Sequence, residues 1–255
     1  MASADFSVAA ASHPVSGRAI LRPRQAYPLP DADRIMAMDP KRKAYWKEGY
    51  QDPAKVAEYD SIRFLGGRKK VNNRSIWRAS QAALKRCGSG KMPAVVIDAP
   101  AGTGRFTSEL QQEGCRIINL DLSREMLGIL QRNHGDGWEV IGDLNQPPLE
   151  RVPDSAVLCL RLMQHLRSEE RVEALRGLRK SSDWAVVSFY PARHLKHLSR
   201  RIRKALGLFK RNLHPTYSNQ QIRSEAVQAG WEVVDLKSIA WRFSDNIMVT
   251  LRNPG

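Results

Sequence analysis

From residue 94 onward the chain alternates two kinds of apolar pattern. Short runs of aliphatic residues predict strands at 94–99 (AVVIDA), 116–121 (RIINLD), 138–143 (WEVIGD), 155–162 (SAVLCLRL) and 184–190 (WAVVSFY). Between them lie helix-like stretches. One, 105–114, stops at Gly114. Another, 123–133, has Ser123 as N-cap and Met126, Leu127 and Leu130 on one face, and a third spans 168–180, capped at its Ser-x-x-Arg start without a full capping box. A helix over 218–230 with a glycine stop precedes two last strands, WEVVDLKSIA and NIMVTLR. Such β-α-β alternation predicts a parallel sheet covered on both faces, and the nearness of the last two strands predicts an antiparallel pair at its end.

Ahead of this region the pattern changes. Residues 1–40 lack periodicity, carry several prolines and are expected to form a disordered leader. The stretch 39–64 reads as short helices broken at Pro53, and 72–87 as a helix with Ile76, Ala79, Ala83 and Leu84 at helical spacing. The expected organisation is a leader (1–40), a helical lid (41–92) and a main domain (93–255) with a basic cap insertion at 191–217. Within the lid, Tyr59, Arg63 and Phe64 are candidate pocket walls, while Trp77 reads as ordinary packing.

Composition narrows the class. The 255 residues are 42% hydrophobic and 26% charged, and no apolar run approaches the ~20 residues of a membrane helix. Cys87, Cys115 and Cys159 show no metal-ligand or disulfide spacing, which points to a reducing, cytoplasmic setting and to no metal. Arg18, Arg22 and Arg24 could suggest a transit peptide, but the early Asp5 and the missing amphipathic pattern argue against one. The formal net charge of +15 suggests an anionic partner, or else scattered, solvated charge.

The stretch VVIDAPAGTGRFT, residues 95–107, carries the chemistry. A strand ends in Asp98, and Gly102 and Gly104 allow a sharp turn and a close approach of backbone to ligand. The helix that follows presents free N–H groups to that side. Two more acids fall in register: Asp121 ends the second strand, where a carboxylate can take both hydroxyls of a ribose, and Asp143 ends the third, where it can accept from the amine of an adenine. One acid alone would be an ordinary strand end or cap; all three together make a nucleoside site. A dinucleotide-dependent oxidoreductase would need glycine where Thr107 stands, and Asp98 would sit badly beside a pyrophosphate.

Over about residues 94–252 the chain resembles the class I S-adenosylmethionine-dependent methyltransferases. The resemblance runs through VVIDAPAGTGRFT, INLDLSREML, VIGDLNQPPL, LCLRLMQHL, WAVVSFY and AGWEVVDLKSIA, and Asp-Leu-Ser-x-x-Met-Leu is typical of the small-molecule and quinone-biosynthesis branch. Pro100 stands where the family pattern has its first glycine, as in a subgroup with Asp-x-Pro-x-Gly-Thr-Gly-Arg. The resemblance implies a Rossmann-like, doubly wound, mostly parallel α/β sheet of seven strands with an antiparallel last strand, and S-adenosyl-L-methionine as cofactor. It implies that Asp98 holds the cofactor's amino group and that Ala99, Gly102 and Gly104 line its methionine and ribose. Asp121 would take the ribose hydroxyls, Leu122 would pack on the adenine, Asp143 and Leu144 would face the adenine edge, and Arg161 and Leu162 would close near the sulfonium.

The acceptor is less marked. LRLMQHLRS after the fourth strand lacks the (Asn/Asp)-Pro-Pro-aromatic motif of amino-methylating nucleic-acid enzymes, and there is no Pro-Cys nucleophile. His165 is the candidate general base, since its pKa range suits proton removal from a hydroxyl; Tyr190 is the candidate that orients the acceptor. Both have plain packing alternatives. In RHLKHLSRRIRKALGLFKR, residues 193–211, Leu195, Leu198, Ile202, Leu206 and Phe209 share one helical face amid basic residues. That pattern suits either a packed cap helix or peripheral contact with an anionic membrane. The leading expectation is methyl transfer to an oxygen or nitrogen of a small-molecule or lipid-like acceptor. An RNA or protein methyltransferase using the basic surface, and a cofactor-binding protein without catalysis, stay open beside it.

Overall fold

The computed structural model describes residues 67–135, 137–192, 204–206, 216–239 and 246–255, with the backbone alone at 67–70. Helix α1 (Gly67–Cys87) is followed by β1 (Val95–Asp98), α2 (Thr107–Gln112), β2 (Arg116–Asp121), α3 (Arg124–His134), β3 (Trp138–Ile141) and β4 (Ser155–Cys159). A 3-10 turn (Met163–His165) leads to α4 (Ser168–Ser181), β5 (Trp184–Phe189), α5 (Asn219–Gln228), β6 (Glu232–Ser238) and β7 (Ile247–Arg252). The strands form one seven-stranded sheet in the order β3-β2-β1-β4-β5-β7-β6. Strands β1 to β5 pair in parallel, and β7 runs antiparallel between β5 and β6. The chain order reverses between β1 and β4, where a doubly wound sheet opens its ligand crevice.

The central strands are buried on both faces, and alternate residues serve two cores. Val96, Leu158 and Val186 join Phe106, Leu110 and the α1 residues Ile76, Ala83 and Leu84. Ile97, Val157 and Val187 join Leu175 and Leu178 of α4, Ile222 and Ala226 of α5, and Trp231. Helix α1 lies across β4, β5 and β7, and Trp77 meets the Phe106 ring at 5.5 Å between centroids. The three cysteines are buried and unpaired, and burial pushes the Cys87 thiol up to about 12.

Four local expectations are corrected. The first helix of the main domain begins at Thr107 rather than 105, because Gly102 and Gly104 keep positive φ up to that point. Strand β3 ends at Ile141, and β4 ends at Cys159 rather than 162, since Arg161 turns to φ 61° and its N–H donates to Ser188 Oγ at 2.8 Å. The cap of α4 is Arg167, whose N–H donates to Glu170 Oε2 at 2.6 Å. The expected cap Ser168 instead donates to Glu225 Oε1 at 2.8 Å. Ser123 caps α3 as expected and accepts from the Met126 N–H at 3.2 Å. The expected leader 1–40, the first half of the expected lid (41–66) with Tyr59, Arg63 and Phe64, and nearly all of 193–211 lie outside the described residues.

Candidate functional site

Strand β1 delivers Asp98 to the crevice, and a cis Ala99–Pro100 bond opens the turn behind it. The turn is stitched to its neighbours: Ala99 N–H donates to Leu158 O at 3.0 Å, Ala101 N–H to Leu120 O at 2.9 Å and Gly104 N–H to Ala101 O at 3.1 Å. The two glycines differ. A Cβ on Gly102 (φ 56°) would stand in open space, so this residue presents bare backbone to the crevice. A Cβ on Gly104 (φ 82°) would come within 2.9 Å of Leu130 Cγ and 2.8 Å of His134 Cδ2, so its lack of a side chain lets α3 approach.

Asp121 ends β2 and is fixed by backbone donors. Gly102 N–H donates to its Oδ2 at 2.8 Å and Ser123 N–H to its Oδ1 at 2.9 Å. A carboxylate has about four acceptor sites, so the group can still accept from a ligand. Burial pushes this carboxyl above its usual range, and the N–H groups of Ser123, Gly102 and Leu122 hold it back. Asp98 is 5% exposed, and its carboxyl lies well above the usual range. Burial is the main cause, the Asp121 charge adds to it, and Arg105 opposes it. The paired acids thus form an electronegative floor that a cationic ligand group would relieve. Arg105 is a residue the sequence reading passed over, though the Gly-Thr-Gly-Arg motif displays it. Its Nε donates to Asn73 Oδ1 at 3.0 Å, tying the turn to α1, and its guanidinium lies 4.8 Å from the centre of the Phe106 ring.

The rest of the expected site falls beyond β3 and β4. Asp143 is half-buried, and its Oδ1 accepts from the Asn145 N–H at 2.9 Å; Leu122 is half-buried, and Leu144 is buried. Arg161 is half-buried with its left-handed backbone, and Leu162 is buried beside it. A non-glycine residue held at positive φ is a strained conformation that clusters at functional sites. His165, in the 3-10 turn, is half-buried, and Gln164 donates from its side chain to Arg161 O. Tyr190, just past β5, is 9% exposed, and its carbonyl accepts from the Tyr217 N–H at 2.8 Å.

A buried polar cluster braces this end of the sheet, and sequence reasoning missed it. Arg171 donates to both oxygens of Glu225 at 2.7 and 2.5 Å, to Leu166 O at 2.7 Å and to Tyr217 Oη at 3.1 Å. Tyr217 Oη donates to Met163 O at 3.2 Å, and the Arg171 guanidinium lies 4.2 Å from the centre of the Tyr217 ring. Two carbonyls flanking His165 in the chain, at 163 and 166, are therefore held by one cluster. Among the described residues no group of three His, Cys, Asp or Glu is placed to hold a metal ion.

Solved structures share the fold. Residues 96–182 match the methyltransferase domain family. No curated protein matches the chain in sequence. Magnesium protoporphyrin IX methyltransferase (ChlM) from Synechocystis PCC 6803, solved with bound SAH, is 19% identical with a TM-score of 0.66, over 83% of this chain and 99% of that one. The O-methyltransferase NcsB1 from neocarzinostatin biosynthesis, solved with S-adenosylmethionine and 2-hydroxy-5-methyl naphthoic acid, is 17% identical with a TM-score of 0.60, over 82% and 61%. The 1,6-didemethyltoxoflavin-N1-methyltransferase of Burkholderia thailandensis, solved with that compound and S-adenosylhomocysteine, is 18% identical with a TM-score of 0.54, over 81% and 91%.

Proposed function

We propose that this chain, whose residues 96–182 match a methyltransferase domain family, is a class I S-adenosylmethionine-dependent methyltransferase that passes the cofactor's methyl group to an oxygen or nitrogen of a small-molecule or lipid-like acceptor. The end of β4 carries the reading. There the backbone turns at Arg161 and runs into a braced 3-10 turn bearing a half-buried histidine, with no amino-methylation motif in its place. The two acceptor complexes above pair an aromatic hydroxy acid with an O-methyltransferase and a heterocycle with an N-methyltransferase, which supports small acceptors of both kinds.

S-adenosylmethionine fits the residues present. Gly102 offers bare backbone beside open space, and Asp121 is a carboxylate already aimed by two backbone donors. When bound, the cofactor supplies an activated methyl group, and the protein's task is alignment and exclusion of water. In this reading Asp121 takes the ribose hydroxyls, and Asp98 receives the amino group, with Ala99, Gly102 and Gly104 along the methionine. Leu122, Asp143 and Leu144 enclose the adenine, and Arg161 and Leu162 close over the reacting end. His165 takes the proton of an acceptor hydroxyl or amine, and Tyr190 orients the acceptor.

Peripheral contact with an anionic membrane through 193–211 belongs to the same proposal. Its support is the sequence pattern together with Leu206, which is 66% exposed. Among the described residues no helix is long and apolar enough to cross a membrane.

The test is transfer of label from methyl-labelled cofactor into a cell extract separated into lipid, small-molecule, RNA and protein fractions. Label in the lipid or small-molecule fraction is expected, and label confined to RNA or protein overturns the acceptor assignment. A His165→Ala variant with unchanged turnover would remove the base role alone.

A further inference from the structure

A groove of about 280 Å³ lies between α2, α3 and the β2–β3 edge, behind the glycine turn. No residue assigned above to cofactor or acceptor lines it. Three side-chain oxygens in its lining are buried and have no hydrogen-bond partner: Thr107 Oγ1, Asn119 Oδ1 and Glu139 Oε1. Thr107 and Asn119 are each 2% exposed. Burying a polar group without a partner is unfavourable, and native folds seldom leave several in one place.

The placement of two of these oxygens is specific. Asn119 and Glu139 are register partners on adjacent parallel strands, so their side chains leave the same face about 5 Å apart, the spacing of neighbouring strands. The Asn119 amide could donate to the Glu139 carboxylate, yet Glu139 Oε1 and Asn119 Oδ1 both stay unpaired. Strand β3 is an edge strand, and Glu139 nevertheless turns one oxygen inward, close enough that a Cβ on Gly137 would meet it at 2.8 Å. Gln111 and Arg116, donors that also line the groove, leave all three oxygens unsatisfied. Apolar walls come from Leu130 and Trp138.

We infer that this groove is a binding site for a small organic cation bearing at least two N–H donors, a protonated primary amine or an amidinium or guanidinium group, on an apolar body. Three unpaired acceptors on residues that line one groove, one of them a carboxylate, call for donors, and a charged donor makes the stronger hydrogen bond to a carboxylate. Asn119 and Glu139 receive the cationic head, Thr107 takes a further N–H from the α2 side, and Leu130 and Trp138 pack on the body. The site does not depend on the methyl acceptor proposed above.

The test follows the indole N–H resonance of Trp138 in the full-length protein, assigned with Trp138→Phe, during titration with benzamidinium and with n-butylammonium. Benzyl alcohol serves as a neutral control. A saturable millimolar shift is expected with at least one cation, and the cation that produces it identifies the preferred head group. Glu139→Gln and Asn119→Leu should each weaken that binding about fivefold or more, by loss of a charge-assisted and a buried hydrogen bond respectively. Both variants are first checked for a cooperative melt, and the conservative Glu139→Gln carries the test if Asn119→Leu fails to fold. Silence with both cations means a hydrated groove only and overturns the proposal. An equal shift with benzyl alcohol, or one that Glu139→Gln leaves unchanged, does the same.

Discussion

The backbone N–H of Gly102 donates to Asp121 Oδ2 at 2.8 Å. The turn after the first strand and the acid ending the second are therefore one unit, although 19 residues separate them in the chain. The carboxylate orients the bare turn, and the turn's N–H aims the carboxylate. A ligand that uses either one meets both already in place, and little ordering remains to be done on binding.

Asp121→Ala should weaken binding of S-adenosylhomocysteine by about 1.5–3 kcal/mol, the range for hydrogen bonds to a charged group. Titration calorimetry on protein with a cooperative melt measures it. Equal affinity in wild type and variant would remove Asp121 from the ribose site.

The two glycines should fail differently. Gly102→Ala meets no atom and carries only the left-handed penalty of roughly 1–2 kcal/mol, so its main loss should be ligand affinity. Gly104→Ala carries a similar backbone penalty and drives a methyl group into Leu130 and His134, adding about 1–3 kcal/mol of overpacking. Chemical denaturation should therefore rank Gly104→Ala as clearly the less stable. The reverse order would contradict the packing described here.

Asp98 sets a pH dependence. Its folded carboxyl lies well above the usual range, because of burial first and the Asp121 charge second. A group raised in this way contributes stability that is complete below its unfolded value near pH 4. That contribution is lost as pH rises through the folded value. The cofactor-free protein should thus lose stability from about pH 4 upward. Asp98→Asn should flatten that slope and melt higher at pH 7, by about 2–4 °C for each kcal/mol recovered. Thermal melts from pH 5 to 8 measure both. Asp121, also raised, pushes in the same direction and leaves some slope in the variant.

The Arg171–Glu225 pair is buried on both sides, with side chains 4% and 5% exposed. Removing one partner leaves the other charge buried alone, so Arg171→Met should destabilise by about 3–5 kcal/mol. The double variant Arg171→Met/Glu225→Met should lose much less than the sum of the single losses. Burial alone would raise the Glu225 carboxyl, but hydrogen bonds from Arg171 and Ser168 outweigh it and hold the group below its usual range. This contribution is present above the ordinary glutamate range and fades as pH falls through the lowered value. Urea titrations of the four proteins at neutral and acid pH check both points. Additive losses would mean that the pair is not coupled.

The sheet was legible because its central strands are buried on both faces and so read as unbroken apolar runs, and Ser123 was legible because its cap bonds three residues ahead. Arg167 was not, since its contribution is a backbone N–H and a nearby serine looked the better cap. The early end of β4 was hidden as well: nothing in an arginine's identity announces φ 61°, which here depends on Ser188, 27 residues further on. The Arg171–Glu225–Tyr217 cluster joins residues up to 54 apart, and the Asn119–Glu139 pairing needs the register of two strands. Local pattern carried the frame and placed Asp98 and Asp121 at the ends of neighbouring strands. The contacts that brace them arise only when distant segments meet.

Pro191 and Tyr217 form an isolated bridge, with Ala192 N–H donating to Tyr217 O and Tyr217 N–H to Tyr190 O, both at 2.8 Å. The chain therefore leaves the sheet and returns to it through a single stitched doorway. What is inserted behind that doorway can change in length at small entropic cost, since doubling a loop adds only about 0.6 kcal/mol. It can also change in composition while the strands below keep their register. Evolution or an engineer can thus exchange the sequence between Ala192 and Tyr217 and leave Asp98, Asp121 and the glycine turn untouched.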